Sequence, residues 1–311
     1  MKLSFKVLLK ISAGLLMQNR LTVGLKGGMG NQLFQYFAAS ELSRSNGREL
    51  VLDISWYRRN VHANGLLSPR QFMLGQYSFS KDLTISEDFN WKNSPLTERI
   101  LRRIPNQVAL HTGVAFELER GAGIPRFLSN VYVSGHWIKN PILPPRETLR
   151  DFLVQKISSP SSSYLRLRRE LQSKKIIAVH IRLGDYLNFQ EVYGVTGESY
   201  HVDAIKELHR VYPDHSSEIW LFSDDNFTAE KMLSQHFEVD RVIDESYGLG
   251  EAESIALMSE ASAIIGSNST FSWWAGYLSK SELTKVVMPK QYMRGILMKE
   301  TGLYISDWLY L

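Results

Sequence analysis

Short apolar runs alternate with segments of helical periodicity along much of the 311-residue chain. Runs of about four to eight apolar residues are typical of buried strands, whereas apolar positions three and four residues apart indicate helices. The pattern predicts strands at 21–25, 50–53, 131–134, 176–181, 219–222, 263–266 and 286–288, and helices at 33–42, 201–211, 228–236, 251–259 and from about 271. This alternation predicts an α/β fold with parallel sheets covered by helices on both faces. Between about 56 and 145 the pattern predicts only the strand at 131–134.

A segment of serines around one proline, at residues 158–163, interrupts the pattern near the midpoint. Such composition is typical of a linker. We therefore predict an N-terminal domain at 21–157 and a C-terminal domain at 164–311.

Residues 1–20 form a separate leader that is apolar and basic. Lys2, Lys6 and Lys10 recur every fourth residue, which favours an amphipathic helix at the interface of an anionic membrane. A disordered leader and an ordinary packing helix are the alternatives. The apolar run is too short to span a bilayer, and no small-residue cleavage site favours a signal peptide.

Composition narrows the functional classes. The chain has 36 Lys and Arg against 32 Asp and Glu, so its net charge of +4 is too small to indicate a nucleic-acid partner. It has no cysteine, which excludes disulfides, a thiol nucleophile and a Cys-ligated zinc and agrees with a cytoplasmic location.

The first chemical motif is a glycine-rich turn between the first strand and the first helix, Gly-Gly-Met-Gly-Asn-Gln at residues 27–32. Glycines let the backbone approach a ligand, and the start of a helix favours anions. Gly28, Gly30 and Asp53 suit a dinucleotide fingerprint, but Leu33 stands where its third glycine belongs. A turn that only reverses the chain is the other alternative, although the two amides, Asn31 and Gln32, suggest substrate contact.

The second motif, His-Ile-Arg-Leu-Gly-Asp-Tyr, follows the strand at 176–181. Strand alternation places His180 and Arg182 on one side, and a guanidinium binds phosphate through two oxygens at once. A structural ion pair between Arg182 and Asp185 is the alternative.

Two further motifs also follow predicted strands. Asp224 and Asp225 could accept hydrogen bonds from a nucleobase or cap the next helix. The run Gly-Ser-Asn-Ser-Thr-Phe-Ser-Trp-Trp at 266–274 places hydroxyl groups at a helix start, where they can bind phosphate. Trp273 and Trp274 fit core packing better than a sugar platform.

Metal-binding patterns are missing from the sequence. No two aspartates are separated by a single residue, and the eight histidines lack metal-ligand spacing. Cations such as Arg182 would then have to offset the charge of a diphosphate, and we expect no metal or other cofactor.

In this order, the four motifs resemble those of the α-1,2-fucosyltransferase family of bacteria and animals, over about residues 21–288. The resemblance implies a GT-B-like arrangement of two Rossmann-type domains whose parallel sheets face a central cleft. It also implies GDP-fucose as donor, inversion at the anomeric carbon and no obligatory metal.

Site residues follow from the same resemblance. It implies that Arg182 binds the β-phosphate of the donor, with His180 and the backbone of Gly184 shaping that pocket, while Asp224 and Asp225 face guanine and ribose. The donor-binding set is completed by Ser269, Thr270, Phe271, Gly28 and Gly30.

Catalysis is assigned to Arg182, Asp185 and Asn31. The resemblance implies that Asn31, in the first domain, faces the reacting sugar. Asp185 is our first choice for the base that deprotonates the acceptor, with Glu198 or His201 as alternatives. Many relatives have a second arginine where this chain has Leu183.

The acceptor that we expect is a terminal galactoside on a surface polysaccharide or oligosaccharide, modified at its 2-hydroxyl. A membrane-adjacent leader would suit such an acceptor at the inner face of the membrane. A transferase of another GDP-sugar, another fucosyl linkage and a non-catalytic GDP-sugar or glycan-binding protein are the alternatives. The sequence does not indicate an oligomeric state.

Overall fold

The computed structural model describes residues 19–59, 70–88, 92, 95–194, 196–211, 217–281 and 283–311. The predicted leader helix therefore lies outside the described residues, apart from the last two positions. The chain divides into two compact units. The described residues of the first unit lie within Met1–Leu25, Gln35–Trp56 and Leu83–Gly135, and those of the second lie within Lys26–Phe34, Tyr57–Asp82 and His136–Leu311.

The first unit contains a five-stranded parallel sheet. Its strands are β1 (Arg20–Gly24), β2 (Glu49–Asp53), β3 (Thr84–Ser86), β4 (Val114–Phe116) and β5 (Asn130–Ser134), in the order β3-β2-β1-β5-β4. Leu21 of β1 lies opposite Leu50 and Val131, which sets the register of the three central strands. Asp53 is fully buried and accepts hydrogen bonds from Tyr132 Oη and the Ser55 amide, so this carboxylate serves the fold of the unit.

Among the described residues, four helices lie wholly or partly in this unit: α1 (Met29–Ser45), α2 (Ser55–Arg59), α3 (Pro95–Leu101) and α4 (Asn106–Leu110). From Tyr57 onward, α2 belongs to the second unit. Residues 29–34 of α1 belong to the second unit, and its residues from Gln35 onward belong to the first. Leu101 of α3 and Ala109 of α4 pack with Val114 and Tyr132 in a small apolar cluster.

The second unit contains a six-stranded parallel sheet. Its strands are β6 (Ile176–Ile181), β7 (Glu218–Ser223), β8 (Arg241–Ile243), β9 (Ala263–Ile265), β10 (Lys285–Met288) and β13 (Leu309–Tyr310), in the order β13-β10-β9-β6-β7-β8. The strands β11 (Gln291–Met293) and β12 (Ile296–Leu297) form an antiparallel pair. All six residues of β6 are buried, as expected for a central strand covered on both faces.

Helices surround this second sheet: α5 (Arg146–Gln155), α6 (Ser162–Ser173), α7 (Gln190–Tyr193), α8 (Glu198–Val211), α9 (Asn226–Ser234), α10 (Glu251–Ser259) and α11 (Thr270–Tyr277). Short 3-10 helices lie at Leu74–Gln76, Ser78–Asp82, Gly184–Phe189, Glu245–Tyr247 and Met298–Glu300. Ile205 and Leu208 of α8 pack on Val179 and Leu221 of the sheet, in the main core of the unit.

The predicted α/β fold with parallel sheets is confirmed, and most predicted strands and helices lie within a few residues of the observed ones. The serine-rich segment lies inside the second unit. There Ser161 caps α6 by accepting a hydrogen bond from the Tyr164 amide, and its own amide and hydroxyl donate to Glu253 of α10. None of the described helices combines the length and the apolar character needed to cross a bilayer.

Candidate active site

A cavity of about 370 Å³ lies at the carboxyl ends of the strands of the second unit. Arg182 follows β6, Asp224 follows β7, Asp244 follows β8 and Ser269 lies beyond β9, and all four line the cavity. The chain runs outward from β6 to β7 on one side and returns to β9 on the other, and ligands of open parallel sheets bind at such a reversal. The volume is sufficient for a small ligand.

Most of the predicted site residues meet in this cavity. Those that line it are Gly28, Gly30, Asn31, His180, Arg182, Asp224, Ser269, Thr270 and Phe271. Asp225 instead caps α9 by accepting a hydrogen bond from the Thr228 amide at 3.1 Å, and neither it nor Gly184 is part of the lining. The side chain of Asp185 lies outside what the structure describes.

Two helix N-termini come together at the cavity, the starts of α1 and α11. A Cβ on Gly30 would lie 2.7–2.8 Å from the backbone and hydroxyl of Thr270, so only glycine allows this approach. Trp274 Nε1 donates to the Gly30 carbonyl at 2.9 Å, and Thr270 Oγ1 donates to Asn31 Oδ1 at 3.0 Å. Each helix start offers backbone N–H groups and the positive end of its dipole, and two together favour an anion.

The turn before α1 is held by Gln32, which the sequence suggested as a substrate contact. That prediction is wrong, because Gln32 is fully buried and bonds to the backbone. Its Nε2 donates to the carbonyls of Gly27 and Gln71 at 3.0 and 2.8 Å, and its Oε1 accepts from the Met73 amide at 2.8 Å. Gln32 thus fastens the glycine turn to the segment that begins at Arg70.

Arg182 forms an ion pair with Asp224, 2.9 Å from Nη1 to Oδ2, with both side chains largely buried. The other carboxylate oxygen of Asp224 accepts from the Leu183 amide, also at 2.9 Å. Asp224 therefore orients the guanidinium. A guanidinium has five N–H donors in a rigid fork, so this pair is compatible with a phosphate contact.

His180 is buried beside the ring of Phe271, with ring centroids 5.3 Å apart. Burial, the neighbouring Arg182 and His201 together lower the pKa of His180 to about 3, so the ring is neutral at pH 7. Ser272 Oγ accepts from the Ser267 amide and lies 2.6 Å from His180 Nδ1. We infer that the Ser272 hydroxyl donates this hydrogen bond to Nδ1. The single proton of the neutral ring then lies on Nε2, which can act as a hydrogen-bond donor.

The two alternative bases do not line the cavity. His201 is fully buried, with Nδ1 3.0 Å from the Gly197 carbonyl, and burial lowers its pKa to about 4. Glu198 bonds His236 through Oε1 and Nε2 at 2.8 Å. Neither side chain is therefore part of the cavity lining.

Trp273 and Trp274 belong to the core, as the sequence favoured. Both are buried against Phe34, with ring centroids about 5 Å apart. Trp273 Nε1 donates to the Leu303 carbonyl at 2.7 Å. These indoles hold the two helix starts in place behind the cavity and are not part of its lining.

Carboxylates line another part of the cavity, and sequence analysis did not find them. Asp244, Glu245 and Glu251 all contribute to the lining. Glu251 Oε2 accepts from Gln76 Nε2 at 2.5 Å. Asp244 Oδ1 accepts from the Ser246 hydroxyl at 2.5 Å and from the Ser246 amide at 2.9 Å, and these two bonds lower the pKa of Asp244. In the part of the chain that the structure describes, no three His, Asp or Glu side chains are grouped as metal ligands would be.

A parallel α/β unit with a cavity at its strand ends, an orienting arginine pair and two helix N-termini defines a class of proteins suited to phosphorylated ligands. Comparison with known families identifies the chain further. It belongs to glycosyl transferase family 11, whose model matches residues 120–311. The chain is therefore a glycosyltransferase.

Known relatives agree with this assignment. The O-antigen biosynthesis glycosyltransferase WbnK of Escherichia coli is 27% identical, over 92% of this chain and 98% of that protein. The alpha-1,2-colitosyltransferase of Escherichia coli is 25% identical, over 85% and 89%. A galactoside 2-alpha-L-fucosyltransferase of Caenorhabditis elegans is 29% identical over 42% of this chain and 39% of its own length.

Among solved structures, the fucosyltransferase NodZ from Bradyrhizobium matches 83% of this chain and 93% of its own. Its TM-score is 0.49 at 14% sequence identity.

Proposed function

We propose that the protein transfers L-fucose from GDP-fucose to the 2-hydroxyl of a terminal galactoside, with inversion at the anomeric carbon. The observation that carries this proposal is the cavity in which Arg182 meets the N-terminal ends of α1 and α11. The chain that contains this cavity belongs to glycosyl transferase family 11. These groups are suited to a diphosphate. We propose that they offset its charge without a metal.

The nucleotide is inferred from the carboxylates of the cavity. Guanine has an N–H and an amino group on one edge, which are donors for a carboxylate acceptor. Asp244 and Glu245 lie directly after β8 and are exposed to the cavity. They replace Asp224 and Asp225 as our candidates for the base, because those two carboxylates bond to Arg182 and cap α9.

The linkage is supported by the names of two relatives. One is an alpha-1,2-colitosyltransferase and the other a galactoside 2-alpha-L-fucosyltransferase, so both names specify a bond to position 2 while the sugars differ. The name of WbnK, which matches 92% of this chain, specifies O-antigen biosynthesis, and this supports a surface polysaccharide as acceptor.

The mechanism requires charge stabilisation at the leaving group. As the bond to the sugar breaks, GDP gains negative charge, and oriented donors at the β-phosphate stabilise that charge more than they stabilise the bound donor. Arg182 is held for this role by Asp224. His180 is neutral, so with its ring proton on Nε2 it adds a donor without a proton transfer, and the Thr270 end of α11 adds backbone N–H groups.

The test is release of GDP from GDP-fucose with a panel of β-galactosides in excess EDTA, followed by linkage analysis of the product. Release that depends on galactoside, resists EDTA and gives an α-1,2 product is the expected result. Loss of activity in EDTA that returns with a divalent cation would contradict the metal-independent part of the proposal.

Colitose is the second candidate sugar, because the colitosyltransferase covers 85% of this chain whereas the fucosyltransferase covers 42%. Parallel assays with GDP-colitose and GDP-fucose compare kcat/KM for the two sugars. A higher value for GDP-colitose would change the donor in the proposal and leave its linkage unchanged. Tight binding of either donor with no release to any acceptor would instead favour a non-catalytic binding protein.

A further inference from the structure

The Arg182–Asp224 pair leaves the charge of a bound diphosphate only partly compensated. The negative charge of Asp224 neutralises the positive charge of Arg182 within the pair. Leu183, the residue after Arg182, is apolar and its side chain is buried in the core, so it adds no charge. The other cationic side chain in the lining of the cavity comes from a different segment of the chain.

Arg70 lies in the same cavity. It lines the cavity with Arg182, Asn31 and Thr270. A Cβ on Gly28 would lie 3.5 Å from Arg70 Nη1, which places the guanidinium beside the glycine turn and the N-terminus of α1. A cation at this position adds to the field of the helix start.

The segment that carries Arg70 is anchored. Gln32 bonds the Gln71 carbonyl and the Met73 amide, and the next turn, Leu74–Gln76, is fixed to α10 by Gln76 Oε1, which accepts from the Ala252 amide at 2.9 Å. Fixed backbone on its C-terminal side limits the positions open to the arginine, so less entropy is lost when a ligand binds.

We propose that Arg70 supplies a second guanidinium for the diphosphate of the donor, in addition to Arg182. This inference rests on the proposed function, since it assumes a nucleoside diphosphate ligand. A guanidinium forks onto two phosphate oxygens, whereas an ammonium acts as a point charge. Arg70→Lys should then recover only part of the binding that Arg70→Ala loses.

The experiment measures the dissociation constants of GDP, by calorimetry, and of guanosine, by competition, on the full-length protein. We expect Arg70→Ala to weaken GDP binding at least tenfold and guanosine binding less than twofold, with Arg70→Lys in between for GDP. Arg103→Ala, at an exposed arginine of the first unit, is the matched control and should bind both ligands as the wild type does.

Three outcomes would overturn the inference, and they can be told apart. If the wild type binds guanosine and GDP equally or neither of them, the diphosphate site and the proposed donor fail together. If the wild type prefers GDP and Arg70→Ala keeps that preference, the proposed donor stands and Arg70 is not a phosphate ligand. If Arg70→Ala weakens both ligands equally, Arg70 supports the shape of the cavity alone.

Discussion

Acidification should destabilise the second unit through its two buried histidines. His180 and His201 have pKa values of about 3 and about 4 in the folded protein, chiefly because burial disfavours their charged forms. In the unfolded chain both return to about 6.5. Below about pH 6.5 the unfolded state therefore binds more protons than the folded state. The free energy of unfolding keeps its full contribution from the two neutral histidines above about pH 6.5 and loses it as the pH falls toward 4.

The magnitude follows from these values. At pH 5 both rings are still neutral in the folded protein and mostly protonated when unfolded. The interval of about 1.5 pH units, at about 1.4 kcal/mol per unit, corresponds to about 2 kcal/mol for each histidine. Because the two rings lie close to each other, we expect a combined loss of about 2 to 4 kcal/mol between pH 7 and pH 5.

The assay measures urea unfolding at several pH values between 7 and 5. A probe of the second unit, such as tryptophan fluorescence, monitors the transition. His201→Gln should reduce the pH-dependent loss of unfolding free energy by about 2 kcal/mol, whatever its effect at pH 7. His111→Gln removes an exposed imidazole and is the matched control. Equal losses in the wild type and His201→Gln would refute the reasoning, since His201 would then not be held neutral by burial.

Three further substitutions test the site. Gly30→Ala should disrupt the packing of the two helix starts and abolish activity, because its Cβ would lie 2.7 Å from the backbone of Thr270. Gly28→Ala should melt within a few degrees of the wild type, since its Cβ would meet only Arg70 Nη1 at 3.5 Å. Thermal melts followed by circular dichroism compare the two variants. Arg182→Lys should lose much of kcat with little change in melting temperature, and Arg182→Ala about 10² to 10³-fold, in single-turnover assays of GDP release. Asp244→Asn combined with Glu245→Gln should reduce the preference for GDP over UDP in competition binding, and an unchanged preference would exclude both carboxylates from base recognition.

The central strands could be predicted because each is a continuous apolar run. The strand at 176–181 has the same limits in the sequence pattern and in the structure, and all its residues are buried. By contrast, β3 and β4 have three residues each and lie at the two edges of their sheet. Such short edge strands depend on pairing with a neighbour, which a local pattern does not contain.

The site was predictable where a recognisable strand preceded it. Arg182, Asp224 and Ser269 follow strands that the pattern contains, and they line one cavity. Asp244 was missed because the strand before it, Arg241–Ile243, has only three residues and was not recognised. Recognition of that strand would have drawn attention to Asp244 by the same rule.

The glycine turn shows why residue type alone does not determine a role. Glycines and amides near a helix start suggested a ligand, yet Gly30 makes room for Thr270 and Gln32 bonds to backbone more than thirty residues away. A glycine needed for a ligand and one needed for a neighbouring helix look the same in sequence, because both are selected by a missing Cβ. Only the partner distinguishes them, and the partner of Gly30 lies 240 positions along the chain. The hydrogen bonds that keep Gln32 away from a substrate also fix the segment that carries Arg70 beside the cavity. The prediction of substrate contact was wrong for Gln32, but the bonds of Gln32 identify Arg70 as a new candidate.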